Sequence, residues 1–340
     1  MEIERLTQEN LEEWDDFAKN SDTAWFRHTS AWQKYSMCCR FDSDSKNYSF
    51  FVKQNREIVA TVPLITEYNY ENRSEQRFAF YGDYTPLPAF KNDCGINKKA
   101  LKTAINEEIL RVARENNVTS GIFCIDPLIE KTYQNDFVLF DMMGDGGNLH
   151  VTTTNIADLR LDEDVLLREM RKGHKAAIKQ ALKKDGYRVD IFDDTNVTKE
   201  ILLKFKEIHK IDAGRQTRTD ESWDCMYEWI LAKNAVLVML YVDEIGDYCS
   251  GLFAITYKKG AYYGSFSTTD SKILNGLGGY IMQWRTIQYL KAHGYEKYDI
   301  GRNIYNTDNL KLKEIAKYKR GFRTGESLAV TYDFAYEDNK

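Results

Sequence analysis

The chain has 340 residues, a formal charge of −5 and 43% hydrophobic residues. Its length corresponds to two domains or one large one. This composition excludes a chain that is disordered throughout, and only 4 prolines and 20 glycines exclude a collagen-like or proline-rich filament. The acidic balance excludes a strong positive field over the whole surface, although it is compatible with a local basic patch.

In chain order, the first half of the sequence predicts two helices, three strands, a helix and a strand. Apolar spacing places the first helix at 8–19 and starts the second near Ser30. It places the three strands at 48–53, 58–68 and 78–81, the next helix at 98–116 and the last strand at 121–125. The second half repeats the order, at 198–211, 220–233, 236–242, 248–257, 261–267, 278–293 and 298–301. We therefore predict a mixed α/β (α+β type) chain of two similar domains, residues 1–155 and 156–340, each a mixed sheet flanked by helices.

A membrane segment and a metal site are not predicted. No stretch approaches the roughly 20 apolar residues that span a bilayer, so we expect no membrane insertion. The start, Met1 to Arg5, is charged and leads into no apolar signal core, from which we expect a cytoplasmic protein. The 6 cysteines have no Cys-x-x-Cys spacing and the 5 histidines have no paired spacing, so we expect no metal.

A dense group of basic residues lies between the two halves, on a segment predicted as one helix over 162–185. Several of its cations fall three or four residues apart and share a helix face: Arg168, Arg171, Lys172, Lys175, Lys179, Lys183 and Lys184. Such a face is typical of a solvated helix, but it also suits a phosphate-rich ligand. The sequence leaves both interpretations open.

A glycine-rich turn at 275–279 (Asn-Gly-Leu-Gly-Gly) separates a predicted strand from a predicted helix. Glycines let a ligand approach the backbone, and a helix N-terminus offers free N–H groups to a pyrophosphate. The spacing matches neither the dinucleotide-binding fingerprint nor a Walker loop. A phosphate site and a tight turn are both compatible with it.

Three further segments carry polar groups. Arg215 and Arg218 lie on a loop between two helices, where they can clamp an anion or cap the preceding helix. In the strand at 262–265 (Tyr-Tyr-Gly-Ser), alternation lets one tyrosine face a cleft while the other faces the core. The segment 318–322 (Tyr-Lys-Arg-Gly-Phe) is predicted to follow a short helix, either as a surface turn or as a partner for an oxyanion or phosphate.

Covalent catalysis has no predicted nucleophile. The sequence has no Gly-x-Ser-x-Gly elbow, and none of its cysteines has a local protease signature. An α/β-hydrolase is therefore not predicted.

Taken in order, these segments resemble the FemAB-like branch of the GNAT acyltransferase superfamily, most clearly over residues 160–325. The likeness rests on the basic helix, the Arg215 loop, the Tyr-Tyr-Gly-Ser strand and the helix that contains Trp284. It also rests on 298–301 (Tyr-Asp-Ile-Gly), where the family has Tyr-Asp-Leu-Gly, and on 318–322, where it has a Phe-Lys-x-x-Phe-like turn. Residues 25–32, which end at Trp32, are similar to the family's early aromatic segment.

The resemblance implies two GNAT-like domains in tandem and transfer of an acyl or aminoacyl group to an amine without a covalent intermediate. Peptidoglycan-bridge members use aminoacyl-tRNA and relatives use acyl-CoA, so either donor is implied. The implied acceptor is a small-molecule amine of an amino sugar, a sugar nucleotide or a peptide.

The resemblance also implies roles for residues. Lys319 and Tyr263 are the implied catalytic residues, with Lys319 near the donor's phosphate or the developing carbonyl charge. The implied substrate-binding residues are Arg215, Tyr262, Trp32 and Lys175. The implied donor-binding residues, in the C-terminal domain, are Gly276, Gly278, Gly279 and Lys272. Where the GNAT loop has Gln or Arg three residues before its first glycine, this chain has Ile273 beside Lys272.

Together these features predict a cytoplasmic N-acyltransferase of cell-envelope biogenesis, in which positioning and oxyanion stabilisation supply most of the rate. A non-catalytic ligand-binding module of the same fold is the alternative. A third interpretation is an RNA-binding protein that uses the basic helix, whose affinity would depend steeply on salt.

Overall fold

The computed structural model describes residues 1–42, 44–68, 75–92, 97–130, 148–270, 274–305 and 307–335. Its contacts divide the chain into two compact units, Met1–Val151 with Ala329–Lys340, and Thr152–Leu328. We call them the N-terminal unit and the C-terminal unit. The sequence-based boundary at 155/156 stays a prediction.

The N-terminal unit combines helices with short strands. Its helices are α1 (Leu11–Asn20), α2 (Ser30–Cys38) and α3 (Lys98–Glu115). Its strands are β1 (Glu2–Arg5), β2 (Lys46–Asn47), β3 (Phe50–Gln54), β4 (Glu57–Val62), β5 (Ile65–Tyr68), β6 (Gln76–Phe78), β7 (Thr85–Pro86), β8 (Ala89–Phe90) and β9 (Val118–Ile125).

The remaining elements follow from residue 149 onward. The strands are β10 (Leu149–Asp158), β11 (Tyr187–Phe192), β12 (Ala235–Val242), β13 (Asp247–Tyr257), β14 (Gly260–Thr268), β15 (Lys297–Arg302) and β16 (Gly325–Ala335). The helices are α4 (Glu163–Glu169), α5 (Lys172–Ala181), α6 (Lys199–Ala213), α7 (Asp220–Leu231), α8 (Gly279–Ala292) and α9 (Leu310–Arg320). A π-helical turn, Leu274–Gly278, precedes α8.

Two strand groups form the N-terminal unit, β1-β3-β4-β8 and β2-β5-β6-β9. The end of β16 extends the second group, since Val330–Ala335 pairs antiparallel with β9. Helix α3 packs on the core through Leu101, Ile105, Ile109 and Val112, which are all buried. Their spacing of three or four residues puts them on one helix face, as the sequence predicts.

In the C-terminal unit the strand order is β11-β12-β13-β14-β15-β10. All neighbours are antiparallel except β14 and β15, which are parallel. Strand β12 is apolar along its length and almost entirely buried, because helices cover both faces of the sheet. Helices α5 and α8 cover one face, and α6 and α7 cover the other. The predicted mixed α/β class is confirmed.

Local capping explains where the helices of this unit begin and end. The side chains of Thr198, Thr219 and Asn309 each accept a hydrogen bond from a backbone N–H of the first turn, which caps α6, α7 and α9. Helix α6 ends at Gly214, whose φ of +68° is the left-handed conformation that glycine adopts without strain.

The single helix predicted over 162–185 is wrong. The chain leaves helical geometry at Met170 and Arg171, between α4 and α5. The Met170 side chain is buried in the core, and the Arg171 N–H donates to the Gly321 carbonyl at 3.0 Å. Both interactions are with residues distant in the sequence, so helical spacing does not reveal them.

Two smaller expectations are also corrected. Thr29, rather than Ser30, caps α2, because its hydroxyl accepts from the Trp32 N–H. Lys319 lies within the last turn of α9, not in a turn after a helix. Among the described residues, no helix is both long and apolar enough to cross a membrane.

Gly251 in β13 makes room for the buried ring of Phe205 on α6, since a Cβ there would lie 2.3 Å from Phe205 Cδ2. We predict that Gly251→Ala lowers the free energy of unfolding by about 1–3 kcal/mol, the usual cost of overpacking. The control is Gly173→Ala on α5, where a Cβ meets nothing within 4 Å, and which should be neutral or stabilising by up to about 1 kcal/mol. Urea midpoints measure both, and equal effects would contradict the packing described.

Candidate functional site

The two parallel strands of the C-terminal unit separate soon after they meet. Strands β14 and β15 pair over three positions only, where Gly260–Tyr262 of β14 lies against Lys297–Asp299 of β15. Beyond that, β14 stays paired with β13 and β15 stays paired with β10. We call the opening between 263–268 of β14 and 300–302 of β15 the strand gap. Along this opening the two strands no longer pair with each other.

Asp299 shapes the β15 side of the strand gap. Its Oδ1 accepts a hydrogen bond from the Gly301 N–H at 2.8 Å and another from the Thr154 hydroxyl. Gly301 has a φ of +112°, which side-chain-bearing residues rarely adopt. The buried Asp299 carboxylate thus supports a bend in the strand just where it leaves its neighbour.

Lys319 reaches the strand gap from α9. Its Nζ lies 4.7 Å from the centre of the Tyr263 ring on β14. A Cβ on Gly301 of β15 would lie 2.7 Å from the same Nζ, so a side chain at that position would displace the amine. Burial lowers the pKa of Lys319, and the nearby Asp299 carboxylate partly opposes this shift. The amine therefore lies between residues of both separated strands.

The two tyrosines of β14 have different surroundings. Burial raises the pKa of the Tyr263 phenol well above its ordinary value, so the group keeps its proton at neutral pH. Its ring lies nearly parallel to that of Phe266, with an interplanar angle of 6°. Tyr262 pairs with Asp299 in the last matched position before the strands part. Both tyrosines are half-buried.

The glycine turn leads directly into α8. Gly276 is exposed, and a Cβ there would meet nothing within 4 Å, so the protein's own packing does not demand a glycine. Gly278 and Gly279 are buried. The Tyr318 hydroxyl donates to the Gly279 carbonyl at 2.7 Å, which ties the turn to the segment that carries Lys319.

His174 connects the basic helix α5 to the same segment. Its Nε2–H donates to the Tyr318 carbonyl at 2.9 Å. The ring packs edge-on against Phe322 at 4.7 Å and Tyr280 at 5.0 Å. A Cβ at Gly321 would lie 2.0 Å from its Nε2, so this glycine is required for the contact. Burial lowers the pKa of His174 and favours the neutral ring.

Helix α5, which carries several of the basic residues, packs on both the π-helical turn and α8. Lys172, Lys175 and Lys179 follow a spacing of three and four residues. Lys175 is partly exposed, and its Nζ donates to the Arg168 carbonyl at 3.2 Å.

Arg215 lies on the loop between α6 and α7 and is exposed. Its neighbour Arg218 stacks on the Trp223 ring at 5.1 Å and bonds the Met226 sulfur at 3.4 Å. No bond of the Arg215 guanidinium to the rest of the described chain is seen, so this arginine has the free donors that an anion needs.

The structure brings together only part of the predicted set. Lys319, Tyr263 and Tyr262 meet at the strand gap, and the glycines of the turn are tied to Tyr318. Trp32 belongs to the N-terminal unit, where it is buried and stacks on Tyr35 at 5.6 Å. Lys272 lies outside the described residues. The roles predicted for all these residues stay predictions.

Sequence reasoning assigned no role to Asp299, His174 or His209. Asp299 lies inside the Tyr-Asp-Ile-Gly motif at 298–301, but only the structure reveals its bonds to Gly301 and Thr154. His209 has a hydrogen-bond partner at each ring nitrogen. In the part of the chain that the structure describes, no group of three or more His, Cys, Asp or Glu residues is arranged to hold a metal.

Residues 168–320 match the acetyltransferase (GNAT) domain family. No curated protein matches the chain in sequence. The matched region contains the strand gap, the glycine turn, the Arg215 loop and Lys319.

Solved structures share the fold of the whole chain. FemX has a TM-score of 0.68 and 16% identity, over 99% of this chain and 98% of FemX. L-PGS from Bacillus licheniformis has a TM-score of 0.58 and 13% identity, over 99% of this chain and 94% of L-PGS. A tandem GNAT protein from the clavulanic acid biosynthesis pathway has a TM-score of 0.55 and 11% identity, over 99% of both chains.

These likenesses confirm the predicted tandem GNAT-like fold, and the family match confirms the predicted superfamily. The chain therefore contains a GNAT acetyltransferase domain at residues 168–320, and its whole length shares the fold of FemX and the tandem GNAT protein.

Proposed function

We propose that the C-terminal unit transfers an acyl or aminoacyl group from a phosphate-bearing carrier to an amine of an envelope-related amino sugar, sugar nucleotide or peptide. The observation that carries the proposal is the position of Lys319, whose amine lies between Tyr263 of β14 and Gly301 of β15. An amine held at the opening between two strands is suited to meet charge that develops on a reacting carbonyl there.

The donor carbonyl is taken to lie at the strand gap, next to Lys319. Attack by the acceptor nitrogen forms the new C–N bond and puts negative charge on the carbonyl oxygen. The Lys319 ammonium stabilises that oxyanion. Collapse re-forms the carbonyl, breaks the C–S or C–O bond to the carrier, and transfers the proton lost by nitrogen to the departing sulfur or oxygen.

Tyr263 is the proposed hydrogen-bond donor to the departing atom in this step, and the departing atom takes the proton lost by nitrogen. Its phenol remains protonated at neutral pH because burial raises its pKa. It also lies on the strand segment that borders the strand gap. A half-buried, protonated phenol next to Lys319 can donate a hydrogen bond to the departing group, whereas an ionised phenol could not.

The carrier's phosphates are assigned to the glycine turn and to α5. Gly276 is exposed and leaves open space in the turn that runs into α8, so a phosphate can approach the backbone there. Lys172, Lys175 and Lys179 lie on the helix packed beside it. This chemistry suits both coenzyme A and the acceptor end of a tRNA, the two carriers that the FemAB-like resemblance implies.

The acceptor is assigned to Arg215 and Tyr262 of the C-terminal unit, and the role predicted for Trp32 stays a prediction. Arg215 has free donors for a phosphate or carboxylate, and phosphate and carboxylate groups are common on sugar nucleotides and peptides. The FemAB-like resemblance supports an acceptor from cell-envelope biogenesis.

We predict that Lys319→Met lowers kcat by about 10²–10³-fold, the usual cost of losing one oxyanion-stabilising group. Product formation is followed by mass spectrometry with glucosamine, UDP-glucosamine and a lysine-containing peptide as acceptors. One arm supplies acyl-CoAs and the other supplies charged tRNA, so that the arm with activity identifies the carrier.

Lys317→Met is the matched control for that substitution. Lys317 lies on the same helix and is exposed, and its Nζ lies 3.6 Å from the Glu314 carboxylate. Its substitution should leave kcat within about twofold, as for surface substitutions generally. No transfer in either arm would favour a non-catalytic binding module, and full activity of Lys319→Met would remove Lys319 from the mechanism.

The pH dependence of kcat should show an alkaline limb below pH 10.5, the ordinary pKa of lysine. Lys319 acts as an ammonium, burial lowers its pKa, and activity is therefore lost as pH rises through that lowered value. Asp299→Asn keeps an oxygen for Gly301 but removes the charge that opposes the shift, so the limb should move to lower pH. A limb that does not move in pH–rate profiles of this variant would contradict the assignment.

A further inference from the structure

His209 on α6 is bonded at both ring nitrogens. Its Nδ1 lies 2.7 Å from the Ser267 hydroxyl on β14, and its Nε2 lies 2.8 Å from the Thr217 hydroxyl on the α6–α7 loop. The imidazole therefore forms a direct polar bridge from a strand to a loop.

The imidazole in this bridge is neutral. Burial lowers the pKa of His209 to about 4, and the positive charge of Arg218 on the loop adds to the shift. The other faces of the ring are uncharged: Trp223 of α7 lies 5.5 Å away, and Phe205 of α6 lies 6.5 Å away. One ring nitrogen then donates and the other accepts, and each hydroxyl can take either role.

The bridge holds two parts of the proposed site. Ser267 belongs to the segment of β14 that borders the strand gap, the same segment that begins with Tyr263. Thr217 is two residues from Arg215. His209 thus connects the strand of the reacting centre with the loop of the proposed acceptor-binding arginine.

Other contacts hold the loop around Arg215 while leaving Arg215 itself unbonded in the described structure. The Gln216 amide donates to Asp220 Oδ1 at 2.8 Å, and Arg218 stacks on Trp223. Gly214 closes the helix before the loop. A fixed backbone that presents a free guanidinium reduces the ordering cost of binding.

We propose that His209 is a positioning residue for acceptor binding, which acts by fixing the Arg215 loop against strand β14 through Ser267 and Thr217. This inference rests on the proposed function, in which Arg215 contacts the acceptor. It assigns His209 no contact with substrate and no part in proton transfer.

The kinetic test compares Thr217→Val, a near-isosteric loss of one hydroxyl, with His209→Leu and Arg215→Met. KM is measured for whichever of the three amines in the transfer assay is acylated, at saturating donor. Thr217→Val and His209→Leu should raise that KM about tenfold while kcat changes by less than threefold. His209→Gln, which can still donate and accept, should restore most of the loss in KM.

The double variant Thr217→Val/Arg215→Met tests whether the effect acts through Arg215. If it does, Thr217→Val should not raise KM further once Arg215 is gone, because the two substitutions remove one interaction. Additive increases would overturn the inference. A fall in kcat or in the folded fraction with KM unchanged would show a purely structural histidine and would also overturn it.

A second measurement does not require an acceptor. Hydrogen exchange of peptides that cover residues 210–222 should be at least about tenfold faster in Thr217→Val than in the wild-type protein, since the loop loses its link to β14. Unchanged exchange would overturn the inference even if His209→Leu fails to fold. An unchanged KM in Arg215→Met would instead overturn the acceptor assignment, and the inference with it. If KM rises in Arg215→Met but not in Thr217→Val or His209→Leu, only the role of His209 is overturned.

Discussion

The separation of β14 from β15 is the constraint on which the rest of the C-terminal unit depends. The two strands share three paired positions and are then held apart by their outer neighbours, β13 and β10. Backbone groups along the edges that part need partners. Side-chain bonds satisfy two of the backbone groups of β15: Asp299 accepts from the Gly301 N–H, and Asn155 donates to the Gly301 carbonyl. The other edge groups border an opening suited to an extended ligand.

The elements around the opening are joined by a small number of specific contacts. Tyr318 ties the glycine turn to α9, and His174 ties α5 to the same segment. On the opposite face of the sheet, His209 joins β14 to the Arg215 loop. Both histidines have lowered pKa values because they are buried, so they act as neutral hydrogen-bonding groups. Lys319 is left as the cation at the centre of the site.

The sequence predicted the elements well where burial follows a regular period. The α3 stripe from Leu101 to Val112 and the apolar strand β12 are examples, since helical or strand spacing alone determines which side faces the core. The prediction of a single helix over 162–185 failed at Met170 and Arg171, where the helix breaks and the Arg171 N–H bonds to the distant Gly321 carbonyl. Local pattern contains no information about such a partner.

The site was predictable to a lesser degree. Lys319 and Tyr263 were named by resemblance to a family, and the structure brings their side chains within 4.7 Å. Asp299, His174 and His209 could not be assigned in this way, because each depends on at least one partner 58 to 145 residues away in the chain. A single histidine or aspartate has no periodic signal that distinguishes a core residue from one that positions a loop.

The central claim is that the strand gap receives the donor. The most direct test is hydrogen exchange of the protein with and without a bound carrier. Coenzyme A and uncharged tRNA are added separately at saturating concentration. If the claim is correct, the carrier that binds slows exchange in both 263–268 and 300–302, because it occupies edge groups that the strands leave unpaired. Binding that slows exchange elsewhere but leaves both segments unchanged would contradict it.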